Sequence, residues 1–324
     1  MTQTAVVPST TPRRASNASR RFKRGVISVL WALAGVALAV LMWELVKWVG
    51  TLVSLPFDSG DGTMPHVWTI VDAFSQPEVR GSDTTVLQAV VTSAAHSLLI
   101  ATGGFIIGVS VGLLLAIIMQ RFSFMERGLL PFVIASQTVP LIALAPLIVG
   151  VGNRISFGPI QWNTTYSVMF IAAYLAFFPL SVGALRGLHS PTPTSLELMR
   201  SYAATPRQML FRLRFPSSLP YLVPALKVSA ASAIIGTVVA EISTGVKGGI
   251  GRLIIEYARE ASSNPAKVYV AVLGALVLGL VAAGLVTALD LYLTRNLPKE
   301  GKLQRGTGQR GHCAAGCRPH RESG

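Results

Sequence analysis

Long apolar runs dominate this sequence, and they limit what the chain can fold into more than any other feature. A helix needs about 20 apolar residues to cross the ~30 Å hydrocarbon core of a bilayer. The sequence holds roughly six such runs, which predicts an all-α, polytopic membrane helix bundle of about six transmembrane spans. We expect the spans near Val26–Val49, Leu98–Met119, Leu129–Val151, Tyr166–Leu188, Tyr221–Ile242 and Val268–Leu293.

The charge pattern predicts a membrane protein rather than a partner of nucleic acid. The net charge is +14, although only 13% of the 324 residues are charged. The basic residues stand in the termini and in alternate loops, which is typical of the positive-inside bias of membrane topology. The outer loop Ser243–Lys267 is an exception, because it is also basic. We therefore expect a multi-pass protein in the lipid bilayer, with both termini cytoplasmic and Ser54–Thr85 outside.

The same pattern divides the chain into three parts. We predict a disordered basic cytoplasmic N-terminus over residues 1–25, a transmembrane domain over residues 26–294 and a disordered cytoplasmic tail over residues 295–324. The first apolar run exceeds the roughly 7–15 residues of a signal-peptide core, so we interpret it as a retained helix rather than a cleaved signal.

The loop between the fourth and fifth spans, residues 190–216, is polar, basic and rich in helix-start signals. Thr194–Glu197 and Thr205–Gln208 each have the spacing of a capping box, in which two side chains satisfy free N–H groups. Pro206 suits the first position of the second helix. Pro216 should end that helix, because the residue before a proline avoids the α region. Two short helices at the membrane surface indicate a docking element for another protein.

The third span contains Gln137, Thr138 and Pro140, with Pro146 further along. A proline inside a helix bends the axis, and bent helices with a polar side chain often line a cavity. Two interpretations remain open. These residues line a transport pathway, or Gln137 is hydrogen-bonded to a neighbouring backbone group.

Small residues recur at every fourth position in several spans, which marks helix–helix contacts in lipid. Such stripes serve static packing or form a seam along which helices slide, and the sequence leaves both open. The stripes are Gly104, Gly108 and Gly112, then Ser232, Gly236 and Ala240, then Ala275, Gly279 and Ala283.

The sequence shows no catalytic, cofactor or metal site. It has no G-x-x-x-x-G-K-[ST] phosphate loop, and its spans hold no cluster of His, Asp and Glu. Glu44, Lys47, Glu241 and Asp290 stand near span ends, where we expect them to reach interfacial water. Cys313 and Cys317 lie between two histidines of the tail and can bind zinc, but the surrounding composition favours disorder.

The loop resembles the EAA loop of type I binding-protein-dependent ABC importer permeases. Glu197 and Pro216 stand at that family's Glu and Pro positions, and Leu213 stands at an apolar one. Leu198 and Met199 replace the two alanines.

Ala203 replaces the glycine that turns the family's loop between its two helices. An alanine is expected to turn the chain there without a positive φ.

Other segments resemble the nitrate/sulfonate/taurine subfamily, which includes permeases for thiamine-precursor pyrimidines. They are Met64–Trp68, Ser97–Gly108, Gln137–Pro146 and Ala240–Glu241, so that the resemblance covers about residues 64–293.

The resemblance implies a permease subunit that moves a small solute inward, either nitrate/sulfonate/taurine-like or a pyrimidine vitamin precursor. ATP is hydrolysed on a separate subunit, so this chain is no enzyme and needs no cofactor. The implied partners are an ABC ATPase subunit dimer, an extracytoplasmic substrate-binding protein and a second permease copy, most simply as a homodimer, in the bacterial plasma (inner) membrane. A secondary transporter or channel is the alternative, but it should show intramembrane ionisable residues or inverted repeats.

The resemblance also assigns the loop its role in coupling to the ATPase. Leu196, Met199, Leu210 and Leu213 are expected to offer the partner an apolar face. The implied coupling residues are Glu197, Leu198, Met199, Arg200, Ala203, Arg207, Leu213 and Pro216.

Overall fold

A computed structural model describes residues 16–52, 60–79, 81–154, 156–157 and 160–294. Most of these residues are helical, which confirms the all-α prediction. A two-residue antiparallel pair, β1 (Ser156–Phe157) with β2 (Ile160–Gln161), is a small addition. The helices are α1 (Ser16–Leu52), α2 (Val67–Ala73), α3 (Val86–Arg121), α4 (Ser123–Ala135), α5 (Leu141–Gly152), α6 (Thr164–Leu188), α7 (Pro193–Ser201), α8 (Pro206–Met209), α9 (Phe215–Thr244), α10 (Ile250–Arg259) and α11 (Ala266–Thr294).

The predicted number of spans is confirmed. Within the described residues, 5 helices are long and apolar enough to cross a membrane, and a bent pair makes up to 6 if it counts as one span. That pair joins Ser123–Thr138 to Leu141–Gly152 at an angle of 99°. Helix α1 begins at Ser16, so residues 16–25 of the predicted disordered arm are helical. The tail, with its cysteines and histidines, lies outside the described residues.

Contacts divide the described residues into two units, of which the first comprises the described residues from 16 to 91 and residues 253–273. In this unit one end of α1 is bonded to the segment that precedes α2. Glu44 Oε1 accepts from the Val67 N–H at 3.0 Å. Lys47 pairs with Asp61 and lowers the pKa of that carboxyl by hydrogen bonding and by its charge. The expectation that Lys47 reaches interfacial water is wrong, because its side chain is only 6% exposed.

The second unit comprises the described residues from 92 to 252 and from 274 to 294, and its core lies among α3, α6 and α9. Glycines let these helices approach closely. A Cβ atom added at Gly108 of α3 would lie 2.7 Å from the Ala173 carbonyl oxygen of α6, and one at Gly236 of α9 would lie 3.1 Å from Ala172 Cα. Two of the predicted small-residue stripes are therefore real packing contacts. The α11 stripe is not one within the described residues, because an added Cβ at Gly279 meets nothing within 4 Å.

Candidate functional site

The first helix of loop 190–216 begins earlier than the sequence suggested. Thr192 is the N-cap of α7, and its Oγ1 accepts from the Ser195 N–H at 3.3 Å. Pro193 takes the first helical position, where its missing N–H costs nothing. The predicted Thr194–Glu197 capping box is therefore wrong, and Glu197 lies in the second turn with no capping role.

The second predicted capping box is confirmed at the start of α8. Thr205 Oγ1 accepts from the Gln208 N–H at 3.3 Å, and Gln208 Oε1 accepts from the Thr205 N–H at 2.8 Å. Pro206 stands in the first turn, as expected.

Pro216 does not end the second helix, contrary to prediction. A π-helical turn over Leu210–Arg214 follows α8, and the Phe215 N–H donates to the Leu210 carbonyl five residues back. Pro216 falls in the first turn of α9, where a missing N–H is tolerated. The chain therefore runs as one helical segment from Pro206 to Thr244, so the second half of the loop is a direct extension of the fifth span.

Ala203 turns the chain between α7 and α8 with a φ of 50°, so the expectation of a turn without positive φ is wrong. The Ala203 N–H donates to the Arg200 carbonyl at 2.9 Å, and the Ala204 N–H donates to the Met199 carbonyl at 3.0 Å. These two bonds make a Schellman motif, which ends a helix with a residue in the left-handed region. The motif has imposed on an alanine the conformation that glycine adopts without strain.

The base of the loop is bonded to the end of α6. Arg214 Nη1 donates to the Leu188 carbonyl at 3.1 Å, and Ser190 Oγ donates to the Ser217 carbonyl at 3.0 Å. An added Cβ at Gly187 would lie 2.8 Å from Ser218 Cβ, so α6 and α9 are in close contact there. These contacts fix where the loop leaves the bundle.

The outer surface of the loop carries charges and aromatic rings. No residue of α7 or α8 is buried. Tyr202 is 76% exposed, Phe211 61% and Leu198 56%. The four residues expected to form the apolar face are only half-exposed. They are Leu196, Met199, Leu210 and Leu213.

Sequence reasoning missed Tyr202 and Phe211, although an aromatic residue in a polar loop is itself a signal of binding. Four charged side chains of the loop are exposed, namely Glu197, Arg200, Arg207 and Arg212. Within the described chain, Glu197 has no hydrogen-bond or ion-pair partner.

The third span is broken at the segment that contains Gln137, Thr138 and Pro140. A 3₁₀ turn, Ser136–Thr138, follows α4, and Val139 and Pro140 are extended before α5 begins. Thr138 Oγ1 donates to the Ala135 carbonyl at 2.8 Å, and the Tyr174 hydroxyl donates to the Ser136 carbonyl. These bonds satisfy part of the backbone that the break leaves free.

Gln137, Thr138 and Pro140 are all exposed at this break. The Gln137 amide makes no hydrogen bond within the described residues. The hydrogen bond to a neighbouring backbone group, which was the second interpretation of Gln137, is therefore not seen there.

A second polar cluster lies at the far end of α9, where Glu241 is fully buried. The expectation that Glu241 reaches interfacial water is therefore wrong; the Asp290 side chain is outside the described part. Ser97 Oγ of α3 lies 2.8 and 2.9 Å from the two Glu241 carboxyl oxygens. The Ile250 N–H donates to Ser97 Oγ at 2.8 Å, and the Gly251 N–H donates to Glu241 Oε2 at 2.9 Å. We call these four residues the Glu241 cluster.

Glycines make the Glu241 cluster possible. Gly245 ends α9 with a φ of 67°, and Gly248 has a φ of 89°. A Cβ added at Gly249 would lie 2.2 Å from Glu241 Cδ, and one at Gly251 would lie 2.5 Å from the Val238 carbonyl oxygen. The glycine-rich run after the fifth span was the sequence signal for this close approach.

Comparison with known proteins gives a family match over residues 108–294, to the binding-protein-dependent transport system inner membrane component. A formylaminopyrimidine transport permease protein, ThiX of Halalkalibacterium halodurans, is 35% identical over 160 residues, which are 49% of this chain and 60% of that protein. A putative aliphatic sulfonates transport permease protein, SsuC of Bacillus subtilis, is 24% identical over 80% of this chain and 84% of its own length. A probable ABC transporter permease protein of Haemophilus influenzae is 25% identical over 71% of this chain and 83% of its own.

Proposed function

Because this chain belongs to the family of binding-protein-dependent transport system inner membrane components, we propose that it is the membrane-spanning permease subunit of an ABC importer. It moves a small solute inward while a separate ATPase dimer hydrolyses ATP. An extracytoplasmic binding protein delivers the solute. We expect the nucleotide site to lie on that separate subunit, because this sequence has no G-x-x-x-x-G-K-[ST] phosphate loop.

The observation that carries this proposal is the surface of loop 190–216. Tyr202, which follows α7, and Phe211, in the π turn after α8, are exposed to solvent on the same loop as exposed arginines. Aromatic and arginine side chains dominate the energetics of protein interfaces. A soluble partner with an apolar groove and acidic rim fits this surface, and a cytoplasmic ATPase subunit supplies it.

The geometry also supports direct coupling of that partner to the bundle. Helix α8, the π turn and α9 form one segment from Pro206 to Thr244. A force on the loop therefore acts on the fifth span through continuous helical backbone, which includes the π turn and the internal prolines Pro220 and Pro224. The proposed coupling residues are Glu197, Leu198, Met199, Arg200, Ala203, Arg207, Leu213 and Pro216, and we add Tyr202 and Phe211 because both are exposed on the same loop.

The broken third span supports a pathway beside Gln137, Thr138 and Pro140. Irregular backbone at membrane depth is tolerated only where protein or a water-filled cavity covers it. These residues are exposed in the single chain. A second copy of the permease covers them from the other side of a shared pathway, which makes a homodimer the simplest assembly.

The solute belongs to the class that the relatives' names describe: a formylaminopyrimidine, an aliphatic sulfonate, or another small polar compound. Selection rests mainly with the binding protein. Isothermal titration calorimetry on the substrate-binding protein that works with this chain, titrated with a pyrimidine and with taurine, distinguishes a pyrimidine solute from a sulfonate solute. Binding of neither would exclude both.

Docking is tested with the double variant Tyr202→Ser, Phe211→Ser. We expect it to insert normally but to co-purify with the ATPase subunit at least tenfold less, because two exposed anchors are lost. Tyr166→Ser is the control, since Tyr166 is an exposed tyrosine at the opposite end of α6. Equal recovery of the ATPase with the double variant and with the wild type would refute the docking surface.

Orientation is tested with single cysteines in a background without Cys313 and Cys317. An impermeant thiol reagent should label Asp83→Cys in intact cells and should label Ser201→Cys only after lysis. Both positions are exposed in the structure, so burial does not confound the comparison. The opposite labelling would place the loop outside and remove its coupling role.

A further inference from the structure

The loop and the Glu241 cluster lie on the same helical segment. From Pro206 to Glu241 the chain rises about 50 Å at the α-helical value of ~1.5 Å per residue. Helix α9 packs closely on α6 along much of this length. An added Cβ at Gly183 of α6 would lie 2.3 Å from Ala225 Cβ, and one at Gly187 would meet Ser218. The helical backbone is continuous between the two ends, with Pro220 and Pro224 inside it, and close packing on α6 restrains it along this length.

At that other end, the first turn of α10 is held by side chains of α9 and α3. Gly251 N–H bonds to Glu241, and Ile250 N–H bonds to Ser97, which in turn bonds to Glu241. These N–H groups begin a helix and have no partner within it. The cluster therefore gives both of them a fixed acceptor.

The Glu241 cluster places polar side chains at a buried position that apolar side chains can also fill. Glu241 and Ser97 are each 0% exposed, and burying a carboxyl group is costly unless it is well bonded. Packed apolar side chains often stabilise such a position equally well. A hydrogen-bonded carboxyl group instead fixes a geometry, because its directional hydrogen bonds hold the start of α10 at one distance and angle from α9.

We infer that Glu241 is a positioning residue that joins α10 to α9, so that movement of the loop is transmitted through α9 to α10 at the opposite end of the segment. The inference rests on the proposed function, since a transmission contact has a role only where a partner drives the loop. Glu241 does not touch the solute in this scheme. It makes the first turn of α10 follow α9.

The experiment uses the complete complex of permease, ATPase subunit and binding protein. Glu241→Ala should leave complex assembly and basal ATP hydrolysis within twofold of wild type, because the loop is unchanged. Stimulation of hydrolysis by solute-loaded binding protein should fall at least tenfold. Glu241→Gln should restore most of it, since its amide oxygen accepts from Gly251 and its amide nitrogen donates to Ser97.

Ser229→Ala is the matched control. Ser229 is also fully buried on α9, but its hydroxyl has no partner within the described residues. It should behave as wild type. A general sensitivity of α9 to buried polar substitutions would instead impair Ser229→Ala as much as Glu241→Ala, which would overturn the inference.

Two further outcomes would also overturn it: normal stimulation of Glu241→Ala, or a parallel loss of assembly, basal hydrolysis and stimulation. If Glu241→Ala does not insert, Ser97→Ala tests the same link with a smaller change. It should lower stimulation about threefold with basal hydrolysis kept, and normal stimulation would refute the link. Failure of the proposed function is distinguishable, because the wild-type chain would then neither bind the ATPase subunit nor respond to the binding protein.

Discussion

The two ends of the helical segment Pro206–Thr244 are built in opposite ways. The loop end exposes Tyr202 and Phe211 and contains a strained alanine, Ala203. The far end buries Glu241 completely and leaves no space beside it, because Gly251 lies against the α9 backbone. An added methyl group at the far end should therefore change stability first, because the space there is filled. Substitutions at the loop should change function while leaving stability nearly intact.

The largest effect is expected from Gly251→Ala. The added methyl carbon would lie 2.5 Å from the Val238 carbonyl oxygen, and backbone cannot move aside as a flexible side chain does. Overpacking of this kind costs about 3 kcal/mol. Thermal unfolding of the purified protein in detergent measures the loss.

Gly279→Ala is the control for this prediction. It lies on α11 with nothing within 4 Å of the added carbon, so stability should be unchanged or slightly raised. Equal stability of Gly251→Ala and wild type would mean that α9 and α10 do not approach as described, and the contrast between the two ends would fail.

The next effect concerns Glu197, which is exposed on the loop. Glu197→Ala should insert with a change in stability below about 0.5 kcal/mol, as for other surface positions. Transport should fall about tenfold, which corresponds to ~1.4 kcal/mol of lost transition-state stabilisation. Uptake of labelled solute into cells, normalised to inserted protein, measures this. Glu197→Gln tests whether the charge itself is needed.

Thr192→Ala separates coupling from helix capping. Thr192 is the N-cap of α7, and its loss should cost about 1 kcal/mol of helix stability. Transport should nevertheless remain closer to wild type than in Glu197→Ala, because Thr192 is not among the proposed contacts with the partner. Normal transport by both Glu197 variants would show that this residue does not contact the partner.

The sequence predicted the spans well, because a run of apolar residues decides membrane insertion by itself. It also predicted the bend of the third span from its prolines and the capping box at Thr205, both of which depend on residues close together in the chain. It failed at Glu241, whose partner Ser97 lies 144 positions away. No local pattern reports such a pairing, and a charged residue near a span end is ordinarily expected to face water.

The errors in the loop have a different physical cause. The rule that proline ends a preceding helix holds for α geometry, but a π turn moves the free carbonyls and lets Pro216 fall in the first turn of the next helix. The N-cap of α7 was predicted at Thr194 rather than at Thr192, because each of these threonines stands three residues before a backbone N–H group that its side chain can cap. Pro193 decided between them by its preference for the first helical position.

The smallest effect is expected from Ala203→Gly, which tests whether the strained turn at the loop end is real. An L-residue in the left-handed region costs roughly 1–2 kcal/mol, and glycine removes that cost while losing some backbone entropy on folding. The net gain should be about 1 kcal/mol, or roughly a fivefold shift in the opening equilibrium of the turn.

The amide of Ala204 reports this gain directly. Its N–H donates to the Met199 carbonyl at 3.0 Å only while the Schellman motif is closed. Hydrogen exchange at that amide should therefore slow about fivefold in Ala203→Gly and quicken in Ala203→Val, whose branched side chain tolerates the left-handed region less well. Exchange that slows in the valine variant instead would mean that Ala203 does not hold a positive φ. Transport by Ala203→Gly should equal that of wild type, because the turn closes in both and the exposed contacts of the loop are the same.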